Sequence, residues 1–144
     1  MIRLFELTDY DAVFQLWQKT PGLGLSRIDD SRAGIEKFLK RNPTTSFVAE
    51  DPDQGIVGAI LCGHDGRRAL VHHTCVDQRF LRRGIGEKLV SAVVEALRKE
   101  GINKAALVVF TGNDRGNRFW EKMGFTLRED LYHRNLELID QNKE

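Results

Sequence analysis

The stretch Leu81-Arg82-Arg83-Gly84-Ile85-Gly86 decides the fold of this chain of 144 residues. It joins an apolar segment that ends at Val76 to a long amphipathic segment. The first turn of a helix leaves backbone N–H groups without partners, and the helix dipole adds partial positive charge there. The two glycines of the stretch leave these donors open, and its two arginines add full charges. The junction therefore predicts a binding site for a phosphate group.

Two better-known phosphate loops fit this junction less well. A Rossmann loop needs a third glycine where Leu89 stands, and an acidic residue after the next strand, which ends in Val109-Phe110. A Walker loop needs Gly-Lys-Ser/Thr, which Gly86-Glu87-Lys88 does not supply. A helix start with incidental glycines stays open as the alternative.

The charge balance excludes some classes of partner. Lys and Arg number 22 against 21 Asp and Glu, so the net charge of +1 gives no field that would gather nucleic acid or an anionic membrane. The longest apolar run, residues 105–110, is far shorter than the ~20 residues of a membrane span, and the amino terminus lacks a signal-type apolar block. We expect a cytoplasmic protein with no nucleic acid or membrane partner.

The cysteines and histidines do not form a metal site. Cys62 and Cys75 lie in apolar runs, which is typical of small core residues kept reduced inside a cell. Cys62 and His64 lack further clustered ligands, so no metal is expected.

Hydrophobic periodicity predicts one α/β domain that spans residues 1–144. A strand over residues 2–7 precedes helices over 9–19 and 30–41, and an antiparallel meander follows over 46–50, 56–63 and 69–76. A helix over 84–100 leads to a buried strand over 104–110, expected to pair in parallel with the strand before that helix. A short helix over 114–123, a hairpin of strands over 125–128 and 131–139, and a frayed tail over 141–144 complete the order β-α-α-β-β-β-α-β-α-β-β.

Together, this order and two motifs resemble the GNAT N-acetyltransferase superfamily over nearly the whole chain. In the family motif Q/R-x-x-G-x-G/A, Gly84 and Gly86 fill the two glycine places. In the second motif, Asn113 fills the Asn place and Gly124-Phe125 the closing pair. The resemblance implies a mixed sheet that splays between its fourth and fifth strands, acetyl-CoA as co-substrate, and transfer of acetyl to a primary amine.

The resemblance also implies which residues bind the co-substrate. Pantetheine would enter the splay and pair with the backbone of Cys75 and Val76, while Asn113 would contact its arm or simply cap a helix. The pyrophosphate would lie on main-chain N–H groups of Leu81, Arg82, Arg83, Gly84, Ile85, Gly86 and Glu87.

The chain departs from the family pattern at three positions. Leu81 stands where Gln or Arg begins the phosphate motif, which leaves the backbone donors in place. Trp120 stands where many members carry a Tyr that protonates the CoA thiolate, and an indole N–H cannot do so. The proton then comes from water, from Tyr132 or from the amine, and Trp120 either lines the cofactor site or belongs to the core. Val108 stands where some relatives carry a Glu base.

A base must accept the proton of the attacking amine. Some small-amine members carry a His that works through water, and His72 matches its position. His73 is expected on the opposite face of the strand, so that only one ring faces the cleft.

Two functions follow from these residues. The first is an acetyltransferase in which the amine attacks the thioester directly, with residues 21–24 and the second helix as one wall of the acceptor site. The rival is a non-catalytic acyl-CoA-binding or regulatory domain that has lost its acid and base. The sequence favours no particular amine. A partner subunit is common in the family, so a homodimer stays open.

Overall fold

The computed structural model describes residues 1–139 and contains a five-stranded sheet flanked by four helices. None of the helices in this part of the chain combines the length and apolar character that a membrane crossing requires. In chain order the elements are β1 (Ile2–Leu4), α1 (Tyr10–Gln18), α2 (Arg32–Arg41), β2 (Phe47–Asp51), β3 (Gly55–His64), β4 (Ala69–Val76), α3 (Ile85–Lys99), β5 (Ala105–Ala106) and α4 (Asp114–Lys122).

The sheet has the strand order β1-β2-β3-β4-β5. The first four strands are antiparallel neighbours, and β5 runs parallel to β4. The parallel pairing covers only Ala69 with Ala105 and Leu70 with Ala106. Beyond that point β4 continues to Val76 without a strand partner on this edge among the described residues, so the predicted splay is confirmed.

Helices cover both faces of the sheet. On one face α3 contributes a stripe of buried residues, and α4 adds Trp120 to the same cluster. On the other face α1 packs Val13 and Trp17 against β3, together with Ile35 of α2. Since the sheet is buried on both faces, its central strand β3 is apolar almost throughout, from Val57 to Gly63.

Local signals explain where the helices begin and end. The hydroxyl of Ser31 accepts a hydrogen bond from Gly34 N at 3.0 Å and caps α2. Asn113 caps α4 in the same way, accepting from Gly116 N at 2.9 Å. Gly124, with φ of 94°, follows the end of α4, where a side chain would be strained.

The predicted helices and the meander are confirmed with boundaries shifted by at most two residues. The fifth strand is much shorter than the predicted 104–110. The terminal hairpin over 125–128 and 131–139 is wrong, because no strand forms there and residues 126–139 are exposed. Alternating apolar residues supply strand propensity but not a neighbour, and the ladder of β5 ends at Ala106. The expectation for the tail over 141–144 lies outside the described residues.

Candidate functional site

A cleft of about 2070 Å³ opens where β4 and the chain after β5 diverge. It exceeds the ~300–1,000 Å³ typical of a small-ligand pocket, so it has room for a large cofactor beside a second substrate. Its walls come from the α1–α2 loop, α2, β4, the turn before α3 and the segment from Val108 to Asn113.

The turn before α3 presents a row of unused backbone donors to this cleft. The N–H groups of residues 82–87 donate no hydrogen bond to other residues of the described chain, whereas Lys88 N already bonds to Gly84 O at 3.1 Å. Arg82 and Gly84 adopt left-handed φ of 65° and 77°, which curl the backbone ahead of the helix. Such a concave run of N–H groups at a helix amino terminus binds anions.

The packing at Gly86 leaves no space for a side chain. A Cβ there would lie 3.2 Å from two ring carbons of Phe119 on α4. The second glycine therefore lets α4 pack against the first turn of α3 while the backbone faces the cleft.

The side chains around the turn differ in their positions. Arg82 lines the cleft and is exposed. Arg83 instead lies over the ring of Phe80, with its guanidinium carbon 4.6 Å from the ring centroid. Glu87 forms an ion pair of 2.7 Å with Lys122, which joins the start of α3 to the end of α4. Leu81 and Ile85 line the cleft with apolar side chains.

A β-bulge in β4 turns two histidines toward the same side of the sheet. The register passes from Ile60 opposite Thr74 to Cys62 opposite Val71, so two residues of β4, His72 and His73, oppose one residue of β3. Both rings contact aromatic residues of the α1–α2 side. The prediction that they point to opposite faces is wrong, since strict alternation holds only for a strand without a bulge.

The two rings have different surroundings. His72 is exposed in the cleft and meets the ring of Phe38 edge-on at 5.5 Å between centroids. Limited hydration beside the cleft walls, followed by the nearby His73, lowers the pKa of His72 below its usual value. His73 is more enclosed, with its Nε2 2.9 Å from Oδ1 of Asp30 and its ring 5.0 Å from that of Trp17.

The α1–α2 loop reaches across the open end of the splay. A Cβ on Gly24 would come within 3.1 Å of the Phe110 ring, and one on Gly22 within 3.4 Å of the Asn113 side-chain amide. Both glycines have positive φ, 65° at Gly24 and 83° at Gly22. The loop therefore forms one wall of the cleft, and it also touches the segment that carries the cap of α4.

Cys75 and Val76 line the cleft on the unpaired edge of β4. Cys75 is only 4% exposed, and burial raises the pKa of its thiol to about 12. Burial raises the pKa of the Cys62 thiol to about 12 as well. Both cysteines therefore stay protonated near neutral pH and serve as packing residues, not nucleophiles.

The aromatic candidates separate into a core residue and a surface residue. Trp120 borders the cleft but is 9% exposed and packs edge-on between Phe119 and Phe125, at 4.9 and 5.1 Å between centroids. Its indole therefore contributes mainly to the α3–α4 core. Tyr132 is 90% exposed, and it is not among the residues that line the cleft. The structure does not bring it together with the other candidates.

The residues of the cleft fit acetyl-CoA. The unbonded N–H groups of residues 82–87 suit a pyrophosphate, and the unpaired edge of β4 offers backbone groups to the amides of pantetheine. Within residues 1–139, no group of three or more His, Cys, Asp or Glu side chains is arranged to hold a metal ion.

Asp30, Phe38 and Phe110 are among the residues of the cleft to which sequence reasoning gave no role of their own. In the sequence, Asp30 begins the predicted helix over 30–41 and Phe38 lies within it, and neither position alone indicates a role in a site. The signal for Phe110 was available, because it ends an apolar run beside the polar Thr111-Gly112-Asn113 turn.

Comparisons with known proteins agree with this geometry. A sequence model described as the acetyltransferase (GNAT) family matches residues 10–125. An acetyltransferase of Pectobacterium atrosepticum is 32% identical over 124 residues, which cover 86% of each protein.

Solved structures show the same architecture. Ard1 from Thermoplasma volcanium superposes with a TM-score of 0.78 at 26% identity, over 89% of this chain and 83% of that one. AAC(6')-Iy, in complex with the bisubstrate analogue CoA-S-monomethyl-acetylneamine, has a TM-score of 0.73 at 19% identity, over 95% and 97% of the two chains. The family match, the curated relative and the shared fold lead to one conclusion: this chain belongs to the GNAT acetyltransferase family and is an acetyl-CoA-dependent acyltransferase.

Proposed function

We propose that this protein moves the acetyl group of acetyl-CoA to a primary amine by direct attack of the amine on the thioester. The observation that carries the proposal is the row of free N–H groups at residues 82–87 beside the unpaired edge of β4. That arrangement supports a pyrophosphate at one end of the cleft and a thioester at the other. The complex of AAC(6')-Iy with an analogue that joins CoA to an aminoglycoside supports an amine as acceptor.

The residues of the cleft would divide the work as follows. Residues 82–87 hold the pyrophosphate, and the edge of β4 at Cys75 and Val76 aligns the pantetheine arm. A backbone N–H near Val76 stabilises the oxyanion of the tetrahedral intermediate. Asn113 contacts the arm through the side-chain amide group that its capping bond leaves free.

Two proton transfers complete the reaction, one from the attacking amine and one to the departing thiolate. The amine has a lone pair only after it loses a proton, and the doublet His72–His73 in the bulge supplies the acceptor. Water protonates the departing thiolate, since Trp120 cannot donate such a proton and Tyr132 lies outside the cleft lining. A CoA thiolate tolerates this arrangement because an ordinary thiol has a pKa near 8.5.

Two measurements test the proposal. Calorimetric titration with acetyl-CoA should show micromolar binding that Gly86→Glu abolishes, because the side chain would be forced against Phe119, displace the first turn of α3 and add a negative charge beside the phosphate. Gly55→Glu, at the start of β3 where a Cβ meets nothing within 4 Å, is the control for the added charge and should bind normally. CoA release should then be measured with a diamine, an aminoglycoside and a tetrapeptide with a free amino terminus.

The rival function is a non-catalytic acyl-CoA-binding domain. It predicts the same titration and no CoA release above the hydrolysis rate with any amine. The histidine doublet in the cleft favours the enzyme over the rival, because a domain that only binds acyl-CoA has no use for a proton acceptor there.

We also propose a homodimer, supported by the apolar side chains that residues 126–139 expose. Leu127, Leu136 and Leu138 are 81%, 83% and 89% exposed, and large exposed apolar patches are typical of interaction surfaces. Sedimentation equilibrium of the purified protein distinguishes a dimer from a monomer.

A further inference from the structure

His73 and Asp30 form a close and largely enclosed contact at the edge of the cleft. The two atoms, Nε2 and Oδ1, are 2.9 Å apart, and the side chains are 14% and 8% exposed. When the ring accepts a proton, its Nε2 and the carboxylate oxygen form an ion pair across this 2.9 Å contact, so Asp30 stabilises the imidazolium.

Asp30 is itself held in place. Its Oδ2 accepts from the backbone N–H of Ser26 at 2.7 Å, and its backbone oxygen accepts from the hydroxyl of Tyr10 at 2.6 Å. The His73 ring is also confined by the edge-on contact with Trp17. A base whose orientation is fixed by a carboxylate and by packing is the arrangement that general-base catalysis requires.

His72 lacks these supports. Its ring makes no hydrogen bond within the described part of the chain, and its one ring contact is the apolar edge of Phe38. Asp30 and Asp29 favour the imidazolium of this ring only at longer range, because among the described residues no carboxylate forms an ion pair with it.

We propose that His73 is the proton acceptor of this site and that Asp30 is its positioning residue. The inference rests on the proposed acetyl transfer and names the residue that serves it. The ammonium group of the acceptor loses one proton, directly or through one water, to the ring of His73. The freed amine forms the C–N bond, and the C–S bond breaks as CoA leaves. The second proton of the nitrogen reaches the thiolate through water, and His73 returns the first proton to solvent.

Other charged groups surround His73 and Asp30, and they also contribute to the pH dependence of the reaction. The loop before α2 brings Asp29, and the bulge brings His72 itself. Tyr10 of α1 faces Asp30. Further charges that line the cleft are Lys19 after α1, Lys37 and Arg41 on α2, and His133 on the segment after α4.

The test compares pH profiles of kcat/KM for the fastest amine of the panel. His73→Gln should lower kcat/KM by about 10²–10³-fold and flatten the acid limb, as expected when a general base is removed. Asp30→Asn keeps an oxygen for Ser26 N and should lower kcat about 10-fold or more, since the ring loses its orientation. Both variants should bind acetyl-CoA with unchanged affinity, which also shows that they fold.

His64→Gln is the matched control. His64 makes a similar contact with a carboxylate, at 3.4 Å from Glu100, and does not line the cleft. Its profile should equal that of the parent protein. An acid limb that survives in His73→Gln but disappears in His72→Gln would overturn the inference. A parent protein that binds acetyl-CoA but acetylates no amine would overturn the proposed function instead.

Discussion

Replacing Gly84 with Ala should lower both the stability of the protein and its affinity for acetyl-CoA, and the two effects can be measured separately. Gly84 has a φ of 77°, and a Cβ there would meet nothing within 4 Å, so the only cost in the free protein is the left-handed backbone. That cost is about 1–2 kcal/mol for an L-residue. In a chain of this size it should lower the melting temperature by about 3–8 °C.

The same change should weaken acetyl-CoA binding by more than strain alone. If the backbone at position 84 of the variant relaxes toward negative φ, the N–H groups beside it turn away from the phosphate. The charge-assisted hydrogen bond lost in this way is worth about 1.5–3 kcal/mol. The dissociation constant should therefore rise by about 10- to 150-fold.

Gly66→Ala supplies the control for this experiment. Gly66 has a φ of 88°, also meets nothing within 4 Å, and lies in the turn between β3 and β4, away from the cleft. It should lose comparable stability in a thermal melt followed by circular dichroism, and keep full affinity in calorimetry. Equal affinities for the two variants would refute the assignment of residues 82–87 as the phosphate cradle.

Three further predictions concern stability and reactivity. Trp120→Ala should cost about 3–5 kcal/mol in urea unfolding, because the indole fills the core between α3 and α4; a cost below about 1 kcal/mol would place it at the surface. Burial raises the pKa of Asp9, but hydrogen bonds from Arg3 outweigh it, so the folded-state pKa lies below the usual value. Its stabilisation is then present above about pH 4 and is lost as the pH falls through the folded pKa. Asp9→Asn should therefore have a lower free energy of unfolding at pH 7, and that free energy should change less on acidification than in the parent protein. Cys62 and Cys75 should resist a thiol reagent at pH 8 until the protein is unfolded, and a rapid reaction of the folded protein would contradict their assignment to the core.

The sequence was sufficient for those elements whose signals are local. Apolar spacing located α3 to within one residue, and the two glycines indicated the turn at its start whose N–H groups are unbonded. The end of the chain shows the limit of this reasoning. Residues 125–139 have strand-like alternation, but a strand also needs a neighbouring edge, and the ladder of β5 ends after Ala106.

The same distinction applies within the site. The backbone cradle could be predicted because its chemistry lies in six consecutive residues. The histidine doublet could not, since a bulge depends on how β4 pairs with β3, and one extra residue changes which side a ring faces. Asp30 and His73 are 43 positions apart in the sequence, a separation that no local pattern spans.

The contact of the α1–α2 loop with Phe110 and Asn113 has a kinetic consequence. The loop proposed as the acceptor wall touches the residue proposed to contact the donor, so the two binding equilibria would share one segment of chain. Thermodynamic reciprocity then requires that acetyl-CoA raise acceptor affinity by the same factor by which acceptor raises donor affinity. In initial-velocity measurements this coupling would appear as a KM for the acceptor that falls as the concentration of acetyl-CoA rises.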